Sequence, residues 1–163
     1  MLTGWLISSC NKGDEVSPIN TFLTDRGLWR LASLRTETLN GDTTVDRDTL
    51  NTSCRFNQTF TFNANGTCTY EYFSCIDQIT QGNWELSTIS SPNDDALIDS
   101  VILRSGMVCK DTTKVGTSQP FNKARVINLG QNSLVLEVVR TDTLRKTPVV
   151  VLRRKITTYG FIH

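Results

Sequence analysis

The stretch that decides the fold is FNQTFTFNANGTCTYEY, residues 56–72. Apolar and polar side chains alternate along it with a period of two, which is typical of a strand with one buried face. Residues 63–66 supply a turn, and Gly66 suits the left-handed position of a three-residue hairpin loop with a bulge. The stretch therefore predicts a β-hairpin.

The turn type also predicts the register of this hairpin. It places Phe62 opposite Cys68 and Phe60 opposite Tyr70. These four residues and Tyr72 then share one face, while the threonines take the other. A one-residue slip would reverse the faces, so the agreement between turn and apolar pattern supports this register.

The two-residue period continues along the chain from Gly27, and no convincing helix is predicted. Eight strands are expected: a first one in which Trp29, Leu31 and Ser33 share a face, then 56–62, 67–72, 82–86, 97–104, 125–129, 133–140 and 149–158. Residues 105–122 are predicted to form a long loop. Eight sequential antiparallel strands remove their exposed edges by closing into an up-and-down barrel, so the fold class predicted is an all-β, single eight-stranded antiparallel lipocalin-like barrel. In it the Trp29 region pairs with residues 149–158.

The length and composition suit one β domain. The chain has 163 residues and a net charge of +1, with its charges spread along the sequence. It therefore lacks the basic footprint of a nucleic-acid-binding protein. The sequence contains no stretch of about 18 apolar residues, so it predicts no membrane-spanning helix. Abundant threonine favours strands over helices.

The N-terminus carries a candidate lipidation site. Leu-Ile-Ser-Ser-Cys, ending at Cys10, resembles the lipobox of bacterial lipoproteins, in which the cysteine thiol carries a diacylglycerol. Only nine uncharged residues precede Cys10, fewer than a full signal peptide has. We expect residues 1–10 to be a truncated signal, 11–26 a flexible tether and 27–163 the barrel domain. The alternative is a frayed N-terminus with a stray cysteine.

The other four cysteines form an even set, which in an exported chain suggests disulfides. In an up-and-down barrel Cys54 and Cys75 lie at the same end, so they are the predicted bridge, with Cys109 as the competing partner for either. Cys68 starts a strand at the opposite end, about 20 Å away, and is expected to be a free, inward-facing thiol.

The sequence offers few residues for metal binding or acid–base catalysis. The only histidine is His163, and no cysteine spacing is a CxxC pair. We therefore expect no metal site, no cofactor and no catalytic residues, and we predict that the protein is not an enzyme.

Several short motifs in this order resemble the lipocalin-like domain of small Bacteroidetes envelope lipoproteins. A Gly-x-Trp lies at residues 27–29 and is repeated at 82–84; Cys54, a Thr-Phe-x-x-x-Gly-Thr segment within 60–67 and Cys75 lie between them. The resemblance covers residues 27 to about 104. It implies an eight-stranded barrel on a lipid tether, and for most members no defined ligand and no catalytic residues.

The inward aromatic face is the predicted ligand-binding surface. Its candidates are Tyr70, Tyr72, Phe60, Phe62 and Trp84. The tyrosines are favoured for ligand contact because their hydroxyl groups give them polar tips. The alternative is that these side chains simply fill the barrel.

For Trp29, the alternative to lining a ligand cavity is a structural role. In lipocalins the tryptophan of the first strand closes one end of the barrel, usually against an arginine near the last strand. The resemblance makes Arg153 and Arg154 the candidates for that arginine.

These observations predict a non-enzymatic, lipid-anchored lipoprotein exported to the outer membrane or cell surface. It would bind a small apolar or amphipathic ligand, or a protein partner, in the cell envelope. It would touch the membrane only through its lipid and would not bind nucleic acid. The alternative is a structural or protein-interaction module with a filled barrel. An empty interior above about 300 Å³ would favour a ligand.

Overall fold

The structure, a computed structural model, describes residues 18–25, 27–50, 54–89, 100–111, 116–145 and 150–163. Its elements are α1 (Pro18–Thr24), β1 (Leu28–Asn40), β2 (Thr43–Leu50), β3 (Thr59–Phe62), β4 (Thr67–Glu71), a 3₁₀ turn (Phe73–Cys75), β5 (Ile79–Ile89), β6 (Ser100–Ser105), β7 (Cys109–Lys110), β8 (Thr117–Ser118), β9 (Ala124–Leu129), β10 (Ser133–Arg145) and β11 (Val151–Ile162).

Eight of the strands close into an antiparallel barrel, which confirms the predicted fold class. Their order is β1, β3, β4, β5, β6, β9, β10 and β11, and β11 pairs again with β1. The register of the closing pair differs from the prediction. Arg30 lies opposite Ile162, and residues 153–158 lie opposite the far half of β1. The Trp29 region was predicted to pair with residues 149–158 because the predicted last strand ended at residue 158, whereas β11 continues to Ile162.

The β3–β4 hairpin has the predicted register. Phe60 pairs with Tyr70 and Phe62 with Cys68. Gly66 has a φ of +80°, a left-handed conformation that glycine adopts without steric cost. The turn and the apolar pattern were therefore sufficient to fix this part of the sheet.

A β-bulge in β1 changes which of its side chains face the interior. Trp29 is fully buried, but the register with β11 shifts between Leu31 and Ser33. Beyond the shift Thr36 is buried and Leu34 half-buried, whereas Ser33 is exposed. The prediction that Trp29, Leu31 and Ser33 share one face is therefore wrong for Ser33, because one extra residue reverses the alternation.

Four strands continue beyond the barrel body as a wall. β1, β10 and β11 have 12 or 13 residues each. β2 pairs with β1 only from Leu34 to Asn40, and β9 pairs with β10 only as far as Glu137. We call the end of the barrel that carries this wall the mouth. The opposite end, where β1 begins and β11 finishes, is the closed end.

Aromatic and aliphatic side chains fill the barrel interior. Its largest fully buried side chains, each under 2% exposed, include Trp29, Phe60, Phe62, Tyr70, Leu103, Met107, Phe121, Leu134, Leu136 and Phe161. Neighbouring rings lie in contact, as shown by the 4.1 Å between the centroids of Phe60 and Phe62. This packing is the main source of hydrophobic stabilisation.

The segment 105–122 is more than the predicted loop. Cys109 and Ser118 pair in the small β7–β8 ladder. Phe121 is fully buried, with its ring centroid 5.0 Å from that of Phe60 and 5.5 Å from that of Tyr70. The segment therefore contributes a side chain to the centre of the core.

The short helix α1 packs against the closed end of the barrel. Leu23 is fully buried, and the indole Nε1 of Trp29 donates a hydrogen bond to the Leu23 carbonyl at 3.1 Å. The prediction of no helix is therefore wrong for Pro18–Thr24, a segment predicted from the sequence to belong to the tether. Ile19, Phe22 and Leu23 have helical spacing, but seven residues are too few for this periodicity to be read reliably from sequence. No helix in the described part of the chain is long and apolar enough to cross a membrane.

Candidate ligand site at the barrel mouth

The closed end is sealed by Trp29 and His163. The ring centroids of Trp29 and His163 lie 3.8 Å apart, and His163 Nδ1 lies 2.9 Å from the Leu28 carbonyl oxygen. The prediction that Arg153 or Arg154 packs on Trp29 is wrong. Both arginines lie on the mouth wall, where each pairs with an aspartate.

Three of the five predicted ligand-binding residues lie deep in the packed core. Phe60, Phe62 and Tyr70 are at most 1% exposed, and the Phe60 ring contacts the other two. The Tyr70 hydroxyl donates a hydrogen bond to Gln58 Oε1 at 3.3 Å. The polar tip of this tyrosine therefore has an internal partner.

The other two predicted residues lie at opposite ends of the barrel. Tyr72 follows β4 with a φ of +59° and stacks on Phe56 at 4.6 Å between centroids. Trp84 lies edge-on to Phe62 and donates its indole hydrogen to the Asn63 carbonyl at 3.0 Å. Trp84 also borders a shallow surface groove of about 270 Å³.

The mouth holds a cup that none of these five residues lines. Its volume is about 260 Å³. The strands β1, β10 and β11 provide most of the lining, and the 3₁₀ turn and the segment after β7 complete it. The lining residues are Leu34, Thr36, Phe73, Ser74, Asp111, Val138, Arg140, Asp142, Lys155, Thr157 and Tyr159.

The strand wall of the cup is positively charged. Arg140 and Lys155 are direct cross-strand partners of β10 and β11 and share the inward face. One step further out, Asp142 pairs with Arg153 at 3.7 Å. Among the described residues, Arg140 and Lys155 form no ion pair. Their side chains therefore remain available to a ligand.

The floor of the cup is largely apolar. Tyr159 is 9% exposed and Phe73 is 5% exposed, and the Phe121 ring lies against both, at 5.0 and 6.3 Å between centroids. Burial raises the pKa of Tyr159 from 10.0 to about 12; Arg140 opposes this rise, and Asp111 adds to it. The floor thus carries a neutral phenol near a cation.

The predicted disulfide holds the edge of this floor. Cys54 and Cys75 are bonded, with 5.3 Å between their Cα atoms, which confirms the prediction. Cys75 ends the 3₁₀ turn that begins with Phe73, and Gln58 Nε2 lies 3.4 Å from the Cys54 sulfur. The bridge therefore ties the turn that supplies Phe73 to the segment that enters β3.

The remaining two thiols are buried and free. Cys68 faces inward as predicted, with its sulfur 3.3 Å from Ser105 Oγ. Cys109 is not a disulfide partner, which corrects the alternative pairing. Burial raises the pKa of both thiols, although hydrogen bonds to Ser105 and Thr80 oppose the effect. Both thiols are therefore poor nucleophiles in the folded protein.

Sequence reasoning missed the cup, although a signal was present. Lys155, Thr157 and Tyr159 alternate along β11, and Val138 and Arg140 alternate along β10. With the correct register these residues fall on one inward face. Arg153 and Arg154 were instead considered as partners of Trp29, and the pairing of Arg140 with Lys155 was not predicted.

The predicted lipidation site, Cys10, lies outside the described residues. Within the described ranges, no group of three or more His, Cys, Asp or Glu side chains could hold a metal ion. No model of a known protein family matches the chain, and comparisons with curated proteins and with solved structures found no significant match. The resemblance to the lipocalin-like domain of envelope lipoproteins therefore remains a prediction.

Proposed function

We propose that this protein is a non-enzymatic, lipid-anchored binding protein of the cell envelope, and that it holds a small amphipathic ligand in the cup at the barrel mouth. The observation that carries the proposal is the combination of an apolar floor with charged and hydroxyl groups on the wall. Ligand pockets in proteins typically combine apolar lining with a few placed polar groups.

The size of the cup limits the ligand. Its volume of about 260 Å³ lies just below the usual lower bound of about 300 Å³ for small-molecule pockets. Phe121 closes the barrel beneath Tyr159 and Phe73. A long chain has no room to run down the barrel axis, so the ligand is short.

A second candidate is a protein-interaction module in which the barrel serves only as a scaffold. The filled interior supports it. So do exposed apolar side chains on the wall strands, including Val45 at 52% exposure and Leu144 at 50%. Exposed apolar surface of this kind is common at protein interfaces.

The two candidates are separated by titrating the protein with short-chain amides, alcohols and carboxylates while recording two-dimensional amide NMR spectra. Binding in the cup shifts the resonances of β10, β11 and the 3₁₀ turn. Thr157→Trp fills the cup and should abolish these shifts. Thr158→Trp, on the neighbouring residue of the opposite face, should leave them unchanged. Amides of the cup that respond to none of the compounds would refute ligand binding there and favour the interaction module.

A further inference from the structure

We infer that the cup selects ligands by an anionic group, held between Arg140 and Lys155, with a short apolar tail on the floor formed by Tyr159, Phe73 and Leu34. This inference rests on the proposed function and adds the chemical class of the ligand. The anionic group is a carboxylate or phosphate, and the ligand is uncharged elsewhere.

The first support is the register of the two cations. Arg140 and Lys155 lie directly opposite each other on neighbouring strands. Side chains so placed have Cβ atoms about 5 Å apart, and like charges in that arrangement repel and destabilise the sheet. An anion bound between them would turn this repulsion into two favourable contacts.

The second support is the position of the acidic groups. On the strand wall, Asp142 already has Arg153 as a partner at 3.7 Å. Asp111 borders the cup from the segment after β7, outside the wall. Asp46 and Asp48 share the inward face beyond β1 but do not line the cup. Arg140 and Lys155 therefore line the cup with two carboxylates, of which Asp142 has Arg153 as its partner and Asp111 lies off the strand wall.

The third support is the concave setting of the charges. A cleft with low-dielectric walls concentrates the field of the charges that line it. Arg140 lowers the pKa of Tyr159 more strongly than Asp111 raises it, so the positive charge has the larger influence on the floor. Hydroxyl groups of Thr36 and Thr157 also border the cup and can donate hydrogen bonds to an anion.

The test compares three probes of matched length: hexanoate, hexanamide and hexylammonium. NMR titration of the full chain should give the tightest binding for hexanoate. Arg140→Gln and Lys155→Gln should each weaken hexanoate binding about tenfold or more, as expected for the loss of a charge-assisted hydrogen bond. Arg154→Gln removes the same charge from the adjacent residue on the outer face and should change the affinity less than about twofold.

Folding of the variants provides an independent readout. Because each substitution relieves a like-charge contact, Arg140→Gln and Lys155→Gln should unfold at the same urea concentration as the parent or a higher one. Lower urea midpoints in both variants would contradict the inference that Arg140 and Lys155 repel each other.

The outcomes separate the two proposals. Hexanamide that binds in the cup as tightly as hexanoate would overturn the anion assignment and leave the proposed function standing. Failure of all three probes to reach the cup would overturn both. Hexyl phosphate and phosphatidylglycerol vesicles extend the test. Binding that is lost in Lys155→Gln supports the assignment. Binding of hexyl phosphate identifies a free anion as the ligand, and binding of the vesicles identifies a lipid headgroup.

Discussion

Met107 occupies the space that a side chain at Gly82 would need. A Cβ added at Gly82 would lie 2.9 Å from the Met107 backbone nitrogen and 3.0 Å from its Cβ. Met107 is fully buried, and it leads from β6 towards Cys109 along the flank of β5. The glycine of this Gly-x-Trp motif thus permits close contact between β5 and the segment that follows β6.

Gly82→Ala should therefore destabilise the protein by about 1–3 kcal/mol, because backbone atoms must move to make room for the methyl group. Gly106→Ala is the matched control, since nothing lies within 4 Å of its Cβ position. Urea denaturation at constant m-value measures both. Equal midpoints for the two variants would contradict the close packing at Gly82.

Tyr159 should make the protein labile in alkali. Its pKa rises from 10.0 to about 12 on folding, so the folded state holds the phenolic proton more tightly than the unfolded state. The corresponding stabilisation is complete below pH 10 and is lost as the pH rises towards 12, by up to about 3 kcal/mol.

Tyr159→Phe should reduce the loss of stability above pH 10 without removing it, because burial also raises the pKa of Tyr70 well above 10.0 in both proteins. Urea midpoints measured between about pH 8 and 11 provide the comparison. The buried thiols of Cys68 and Cys109, whose pKa values are also raised, add a loss of stability that begins near pH 9 in both proteins. Identical slopes in variant and parent above pH 10 would show that Tyr159 is not responsible.

Removal of the disulfide should cost about 3 kcal/mol, because it closes a loop with a sequence separation of 21. Cys54→Ala combined with Cys75→Ala should therefore unfold at a lower urea concentration than the parent. Non-reducing peptide mapping should find Cys54 linked to Cys75. Cys68 and Cys109 should react with iodoacetamide only after unfolding, and rapid alkylation of either in the native protein would contradict their burial.

Lipidation at Cys10 predicts that the full gene product, expressed in a bacterium, partitions into detergent and carries the mass of a diacylglyceryl group. Cys10→Ala should release it as soluble protein, whereas Cys68→Ala, which alters a buried core thiol, should leave the partitioning unchanged. Membrane association that survives Cys10→Ala would refute the anchor.

Local signals predicted the β3–β4 hairpin because its turn and its apolar face are encoded within a short stretch. The pairing of Phe60 with Tyr70 and the positive φ of Gly66 both follow from that stretch alone. The Cys54–Cys75 bridge was also predictable, because strand order fixes which ends of the barrel meet.

Features that depend on distant contacts were not predictable in this way. The bulge between Leu31 and Ser33 has no mark in the local alternation, since it arises in the pairing with β11. Phe121 lies in a segment rich in loop-forming residues, and only the finished barrel offers the space that it fills. The cup depends on the pairing of Arg140 with Lys155. These residues belong to two strands that were predicted separately, and the end of the last strand was predicted wrongly.

The helix α1 and the cup lie at opposite ends of the barrel. Since Leu23 is buried at the closed end, the chain upstream of Pro18 joins the barrel there, and the cup opens at the far ends of the strands. A strand advances about 3.3 Å per residue, so the length of β11 separates the two points. An attachment upstream of Pro18 therefore joins the barrel at the end opposite the cup, so the path from the attached chain to the cup runs the length of the barrel.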